Sequence, residues 1–166
     1  MLKLTLIARL SDCLPLTESM EPTSDAEIEQ YKKQRKNILQ QLSSNPVPPE
    51  KLSVDSGNYA FHVVTESGVA FMTLCEKAYS TQLAYGFLAD IKGEFLNLYG
   101  SEVAKVDRPY AFIKFDSFIQ KTIRVYSDTR TKRNIQKLKE ELTDVQLIIR
   151  KNVQDVIGRG SQLNGN

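Results

Sequence analysis

Between Ile135 and Leu163, nine positions follow one another by steps of three and four: Ile135, Leu138, Leu142, Val145, Ile149, Asn152, Val156, Arg159 and Leu163. Such steps, sustained over four heptads, form an a/d seam, the pattern of a coiled coil. The residues between them are mostly Lys, Glu, Asp, Gln and Arg. One helix cannot bury a stripe of this kind against itself, so the last 35 residues need a partner helix or a surface to cover them. Two seam positions, Asn152 and Arg159, are polar. Arg159 lies between Gly158 and Gly160, each of which costs ~1 kcal/mol in a helix. Periodicity alone leaves two readings open: a solvated residue past the helix end, or a buried polar layer. A buried guanidinium demands several acceptors, and such a layer sets register and partner identity at a cost in stability.

Before the seam the periodicity is of another kind. Leu2, Leu4, Leu6, Ala8 and Leu10 share one parity, which predicts a strand with one face on a core. Cys13–Met20 reads as a short return strand bent at Pro15. Ser24 and Glu27 have capping-box spacing, so a helix is expected from Ser24, with Ile28, Tyr31, Ile38, Leu39 and Leu42 as its apolar stripe. Ser43 to Pro49 ends it. Leu52–Asp55 is a candidate short strand. Asn58–Thr65 and Val69–Lys77 read as a hairpin joined by Glu66-Ser67-Gly68. From Thr81 to Tyr99 the apolar residues Leu83, Phe87, Leu88, Ile91 and Phe95 take helical spacing, with Gly100 as the stop. One more short strand is expected between Gly100 and Pro109. A last helix is expected over about 113–129, with Phe115, Phe118, Ile119, Thr122 and Val125 inward. Phe61, Val63, Phe71, Leu83, Phe87 and Phe118 are the expected core. The whole is an α+β layer of helices on an antiparallel sheet.

The composition excludes more than it assigns. A chain of 166 residues, 41% apolar and 25% charged, suits one domain with an appended element. A net charge of +2 does not argue for nucleic acid. Arg124, Arg130, Lys132 and Arg133 lack an aromatic platform, so a solvated helix face is expected there. The N-terminus lacks a signal-peptide core, Leu2 stands where myristoylation requires glycine, and no stretch approaches a bilayer span. Cys13 and Cys75 have no metal-ligand spacing and are expected to be reduced. His62 is the one imidazole. A three-residue turn at 66–68 would set it opposite Met72 and put Cys75 on the other side of the sheet. A Cys–His nucleophile pair would then need a register shifted by one. Glu102 and Asp107 read as solvated loop carboxylates. No catalytic residue, metal site or cofactor is expected.

The run Asn152-Val153-Gln154-Asp155-Val156-Ile157-Gly158-Arg159-Gly160 resembles the segment around the central arginine of R-SNAREs. Leu4-Thr5-Leu6-Ile7-Ala8-Arg9, with Leu14-Pro15-Leu16, resembles the opening of a longin domain, although Cys13 stands where glycine is usual. The run from Arg108-Pro109-Tyr110 through Lys121-Thr122 resembles the signature of longin-type R-SNAREs of endoplasmic reticulum–Golgi vesicle transport. The resemblance implies a longin (profilin-like) domain over 1–131: a five-stranded antiparallel sheet with one helix on one face and two on the other. It implies the N-terminal half of a SNARE motif over 132–166. Arg159 becomes the zero layer, and Ile135, Leu138, Leu142, Val145, Ile149, Asn152, Val156 and Leu163 the seam, also used for fold-back. The implied partners are three glutamine-SNARE helices, a COPII-type vesicle coat and the chain's own longin domain, with no nucleic acid. The rest of the motif and the membrane anchor are expected outside this chain. The implied location is the cytosolic face of the endoplasmic reticulum, transport vesicles and Golgi. The alternative is a longin-like adaptor or tether subunit, which would have no need of a polar layer in a four-heptad seam.

Overall fold

The computed structural model describes residues 2–20, 26–139 and 147–158. Strands β1 (Leu2–Arg9), β2 (Leu14–Met20), β3 (Lys51–Ser56), β4 (Tyr59–Glu66), β5 (Val69–Glu76) and β6 (Ile149–Asn152) form one sheet in the order β2-β1-β5-β4-β3-β6. The first five pair antiparallel, as expected. β6 is an addition: it pairs parallel with β3, so the sheet is mixed and six-stranded.

Helix α1 (Ala26–Ser44) covers one face. Its stripe residues Tyr31, Ile38, Leu39 and Leu42 are buried among Leu4, Leu6, Phe61, Val63, Met72 and Leu74. Of the expected capping pair, Ser24 lies outside the described residues, and Glu27 falls in the first turn of α1 with nothing described of its side chain. Helices α2 (Thr81–Tyr99) and α3 (Asp116–Ser127) cover the other face. Ile7, Phe71, Phe87, Ile91, Phe95 and Ile119 form the core there. Helix α4 (Thr129–Lys139) packs beside α2 and α3. Asp128 separates α3 from α4, and its carboxylate accepts from Thr131 N at 2.9 Å, capping α4 and lowering its own pKa. The domain boundary expected at 131/132 therefore falls inside α4.

Three local expectations change, and a fourth, Gly100 as the stop of α2, holds for another reason. The hairpin turn has two residues, Ser67 (φ 56°) and Gly68 (φ 75°), joining Glu66 directly to Val69. Positive φ at both positions is the geometry of a tight turn whose twist matches the strands. Gly100 ends α2 in a right-handed conformation; what glycine supplies is room, since a Cβ there would sit 2.5 Å from the Leu96 carbonyl oxygen. Between Gly100 and Pro109 a single 3-10 turn, Val103–Lys105, replaces the expected strand. Arg9 holds that loop, donating from Nη1 to the carbonyls of Val103 and Val106 at 2.7 Å each. Finally, α3 begins at Asp116 after a 3-10 turn, and Tyr126 (1% exposed) faces inward where Val125 (38%) was expected. A helix of 3.6 residues per turn carries the inward line through 115, 119, 122 and 126. Of the expected core, Phe61, Val63, Phe71, Leu83 and Phe87 are buried, while Phe118 is partly buried.

Candidate functional site

The two-residue turn sets the register of the sheet, and the register aligns polar residues. Ser19, Thr5, Thr73, His62, Ser53 and Arg150 lie side by side on β2, β1, β5, β4, β3 and β6, on the face that α2 and α3 cover. All but Arg150 are buried. A buried hydroxyl or imidazole must find a partner, and neighbours in the row supply it. Thr5 and Thr73 share a hydrogen bond at 3.2 Å, and Thr73 also donates to the Leu4 carbonyl at 3.0 Å. Ser53 Oγ lies 2.7 Å from His62 Nδ1 and 2.9 Å from the Tyr85 hydroxyl. Gln120 of α3 donates to Ser19 at the β2 end. Alternation read along single strands could not reveal this row, because each strand contributes one member.

This register corrects the expected geometry of His62. It faces Thr73, and Cys75 faces Ala60, so imidazole and thiol share one side of the sheet. Chemistry does not follow from the shared side. Burial lowers His62 to about 4, with the Arg150 charge acting the same way and Asp55 opposing it. Burial pushes the Cys75 thiol up to about 12. A neutral imidazole bonded to serine and a protonated thiol within a hydrophobic core make no activated nucleophile. Both cysteines are free. Glu102 and Asp107 are exposed. Among the described residues no group of His, Cys, Asp and Glu could hold a metal, and no helix is long and apolar enough to cross a membrane.

The row ends at the segment that wraps the open edge of β3. α4 starts on the α2 side, where the Lys132 ammonium lies 5.4 Å from the centre of the Tyr79 ring and Ile135 packs against the core. Ile148 reaches the same core. β6 then runs along β3, setting Ile149 beside Leu52, Arg150 beside Ser53, Lys151 beside Val54 and Asn152 beside Asp55. An unpaired strand edge offers a row of backbone donors and acceptors to any extended segment. Arg150 makes a bidentate pair with Asp55, Nε to Oδ2 at 3.0 Å and Nη2 to Oδ1 at 2.7 Å, and its Nη1 donates to Thr81 Oγ1 at 3.4 Å. The Asp55 bonds raise the pKa of an already permanent charge. Asn152 Oδ1 accepts from Gln154 N at 2.9 Å and ends the strand. A π-type turn, Gln154–Gly158, packs on α1. Val153 (5% exposed) enters the core beneath that helix, with Val156 and Ile157 partly buried beside it.

The seam residues are thus distributed unevenly. Ile135 is half-buried on the α2 side and Val156 on the α1 side. Ile149 (46% exposed) and Asn152 are exposed. Leu138 belongs to α4, and nothing is described of its side chain; Leu142, Val145, Arg159 and Leu163 lie outside the described residues. Over 149–152 the chain is extended where the heptad period continues a helix. Ile148 and Ile149 are β-branched, as strand residues often are, and the edge of β3 supplies the partner. Among the described residues of the segment, the bidentate ion pair and the most buried side chain belong to Arg150 and Val153, which the seam pattern does not mark. For Val153 the signal in the sequence was that Ile148, Val153 and Ile157 are apolar off the seam; for Arg150 there was none.

The family model described as Longin, a regulated-SNARE-like domain, matches residues 16–119. A "25.3 kDa vesicle transport protein SEC22-1" of Arabidopsis thaliana is 44% identical over 164 residues, covering 98% of this chain and 75% of that protein. The vesicle-trafficking protein SEC22b-A of Danio rerio is 40% identical, covering 96% of this chain and 74% of that protein. The protein transport protein sec22 of Schizosaccharomyces pombe is 41% identical, covering 98% and 75%.

Proposed function

The chain belongs to the Sec22 type of longin R-SNARE of endoplasmic reticulum–Golgi transport, and on that premise we propose that its longin domain holds its own SNARE segment closed until glutamine-SNARE helices replace it. The coarse function, SNARE action in vesicle trafficking, comes with the family. The relatives are named as vesicle transport and vesicle-trafficking proteins. The observation that carries the finer reading is the parallel pairing of Ile149–Asn152 with β3. A strand at that edge and a helix in a bundle are mutually exclusive states of the same residues, so a partner that binds one form depletes the other.

In the assembled state the seam from Ile135 to Leu163 faces three glutamine-bearing helices. Arg159 supplies the charged central layer, which fixes register and partner identity. In the closed state the segment and the longin domain form one composite surface, which a COPII-type vesicle coat reads to package the unassembled protein. The full-length protein works on the cytosolic face of the endoplasmic reticulum, transport vesicles and Golgi, attached by a C-terminal anchor. Closure is readily reversible, because β6 is short and exposed and, among the described residues of the segment, Val153 is buried while Ile135, Ile148, Val156 and Ile157 are only partly so.

Hydrogen exchange over residues 132–158 tests the closed state. Protection in the chain alone, lost when the glutamine-SNARE helices are added, is the expected result. Exchange at the rate of a free peptide in the chain alone would rule closure out. For the zero layer, Arg159→Leu in the full-length protein is expected to leave the longin domain folded and to alter assembly or disassembly of the four-helix complex. Wild-type assembly, disassembly and fusion would refute that role.

A further inference from the structure

Laying the heptad frame over the docked segment separates two sets of residues. With Ile149 and Val156 at a and Asn152 at d, Arg150 and Ile157 fall at b, on the far side of a seam helix, and Ile148 and Val153 fall at g and e. A b position in a coiled coil faces solvent and gains nothing from isoleucine. In the docked segment Ile157 packs on the α1-face core and Ile148 on the α2-face core, while Val153 is buried. Of the seam residues in this stretch, Ile149 and Asn152 remain exposed between them, and Val156 is partly buried beside Ile157. The one bidentate ion pair of the described segment belongs to a b residue, Arg150.

We propose that the segment carries two residue codes on one sequence: the seam for partner helices, and an off-seam set, Ile148, Arg150, Val153 and Ile157, that recognises only the longin domain. Arg150 is the specificity-determining member. Its guanidinium meets Asp55 on β3 and Thr81 at the start of α2, so it reads the strand edge and the helix above it together. It also fixes the strand register. A slip of one residue along β3 would turn Arg150 to the α1 face, away from both partners. Asp55 is 18% exposed at its side chain, so removing Arg150 leaves a largely covered carboxylate without its counter-charge. In a four-helix bundle Arg150 points to solvent, so the two codes can be altered independently. This inference rests on the closed-state reading given above.

The test uses the whole chain, 1–166, with hydrogen exchange over 147–158 and assembly with glutamine-SNARE helices as separate readouts. Arg150→Ala is expected to speed exchange of the segment about fivefold, the scale of a well-formed, partly exposed ion pair. Arg150→Glu, which sets two carboxylates together, should exceed about tenfold. In both variants exchange within residues 2–127 should match wild type, and assembly should be as fast as wild type or faster. The exchanged pair, Arg150→Glu with Asp55→Arg, should slow the segment again. Ile149→Asp should do the reverse, weakening assembly while changing exchange less than about twofold. Wild-type exchange in Arg150→Glu, in a segment that is protected in the parent chain, would overturn the Arg150 role and leave closure standing. Assembly weakened by Arg150→Glu as strongly as by Ile149→Asp would overturn the separation of codes. An unprotected segment in the parent chain would instead remove closure itself.

Discussion

β2 and β6 occupy the two ends of one sheet, and they are held there by different means. β2 runs seven residues, and its Leu16, Thr17 and Ser19 are buried. Its outer edge is covered by the chain itself, since Tyr110 N and Phe112 N donate to the carbonyls of Pro15 and Leu16 at 2.8 and 3.1 Å. Arg35 of α1 pairs with Glu18 at 2.6 Å. β6 runs four residues, all exposed, and depends on the Arg150–Asp55 pair and on Val153 just beyond it. An edge built into the core opens only when the domain unfolds. An edge joined through backbone bonds and a few side chains opens at a much lower free energy. The comparison separates a body that persists from a segment that can be exchanged.

The largest effect expected from this contrast is at Leu16. Leu16→Ala removes a fully buried side chain from β2 and should cost ~2–5 kcal/mol, read as a lowered urea midpoint of the whole chain. A loss below ~1 kcal/mol would show that β2 is as dispensable as β6.

The second effect is on pH dependence and follows from the polar row that joins the two edges. His62 stands at about 4 in the folded protein against 6.5 as a free side chain, first through burial and then through Arg150. Above pH 6.5 both folded and unfolded chains hold it neutral and it contributes no slope. As pH falls from 6.5 towards 4 the unfolded chain takes up a proton that the folded chain refuses, so stability declines by up to ~3 kcal/mol. Urea melts at about pH 7 and about pH 4.5 should show this loss in the parent chain and not in His62→Gln. Removing residues 140–166 takes away Arg150 and the cover of β3. It should raise the His62 pKa and shrink the slope; an unchanged slope would mean that β6 does not touch the row electrostatically.

A smaller effect lies in the turn before β2. Cys13 adopts φ 59°, a left-handed conformation that costs a residue with a Cβ about 1 kcal/mol relative to glycine. Cys13→Gly should therefore raise the melting temperature slightly, and the permanent edge would gain stability with no change in exchange at β6. The smallest effect is at Ile149. Ile149→Ala, at a 46% exposed position, should change global stability by less than ~0.5 kcal/mol. A loss comparable to that at Leu16 would erase the distinction between the edges.

Periodicity carries most of the body because it is a local property. Helical spacing in Thr81–Tyr99 reports which side of that helix meets the core, whatever the partner; alternation in Leu2–Arg9 finds the α1 face of β1, but the strand is central and its other face, Thr5 and Ile7, is buried too. It says less where two elements must be matched. Glu66-Ser67-Gly68 reads as a turn of three residues where the fold makes one of two, and that one-residue difference moves His62 from Met72 to Thr73 and assembles the polar row. Val125 and Tyr126 differ by 100° around α3, and only the packing of α3 on α2 and the sheet selects Tyr126.

By itself, then, the sequence determined that this chain is an α+β body joined to a segment with a heptad seam, because burial requires apolar residues at the period of each element and those periods are written in the order of residues. The tertiary structure alone decided the state of residues 149–152. The same residues satisfy a helical seam or a strand, and the energy difference between those forms lies outside the segment, in whether a free β3 edge with Asp55 or a set of partner helices lies alongside. Arg150 makes the point in one side chain: as a member of the heptad it is solvent-facing and unremarked, and only a fold that brings Asp55 and Thr81 together beside Ser53 turns it into a contact.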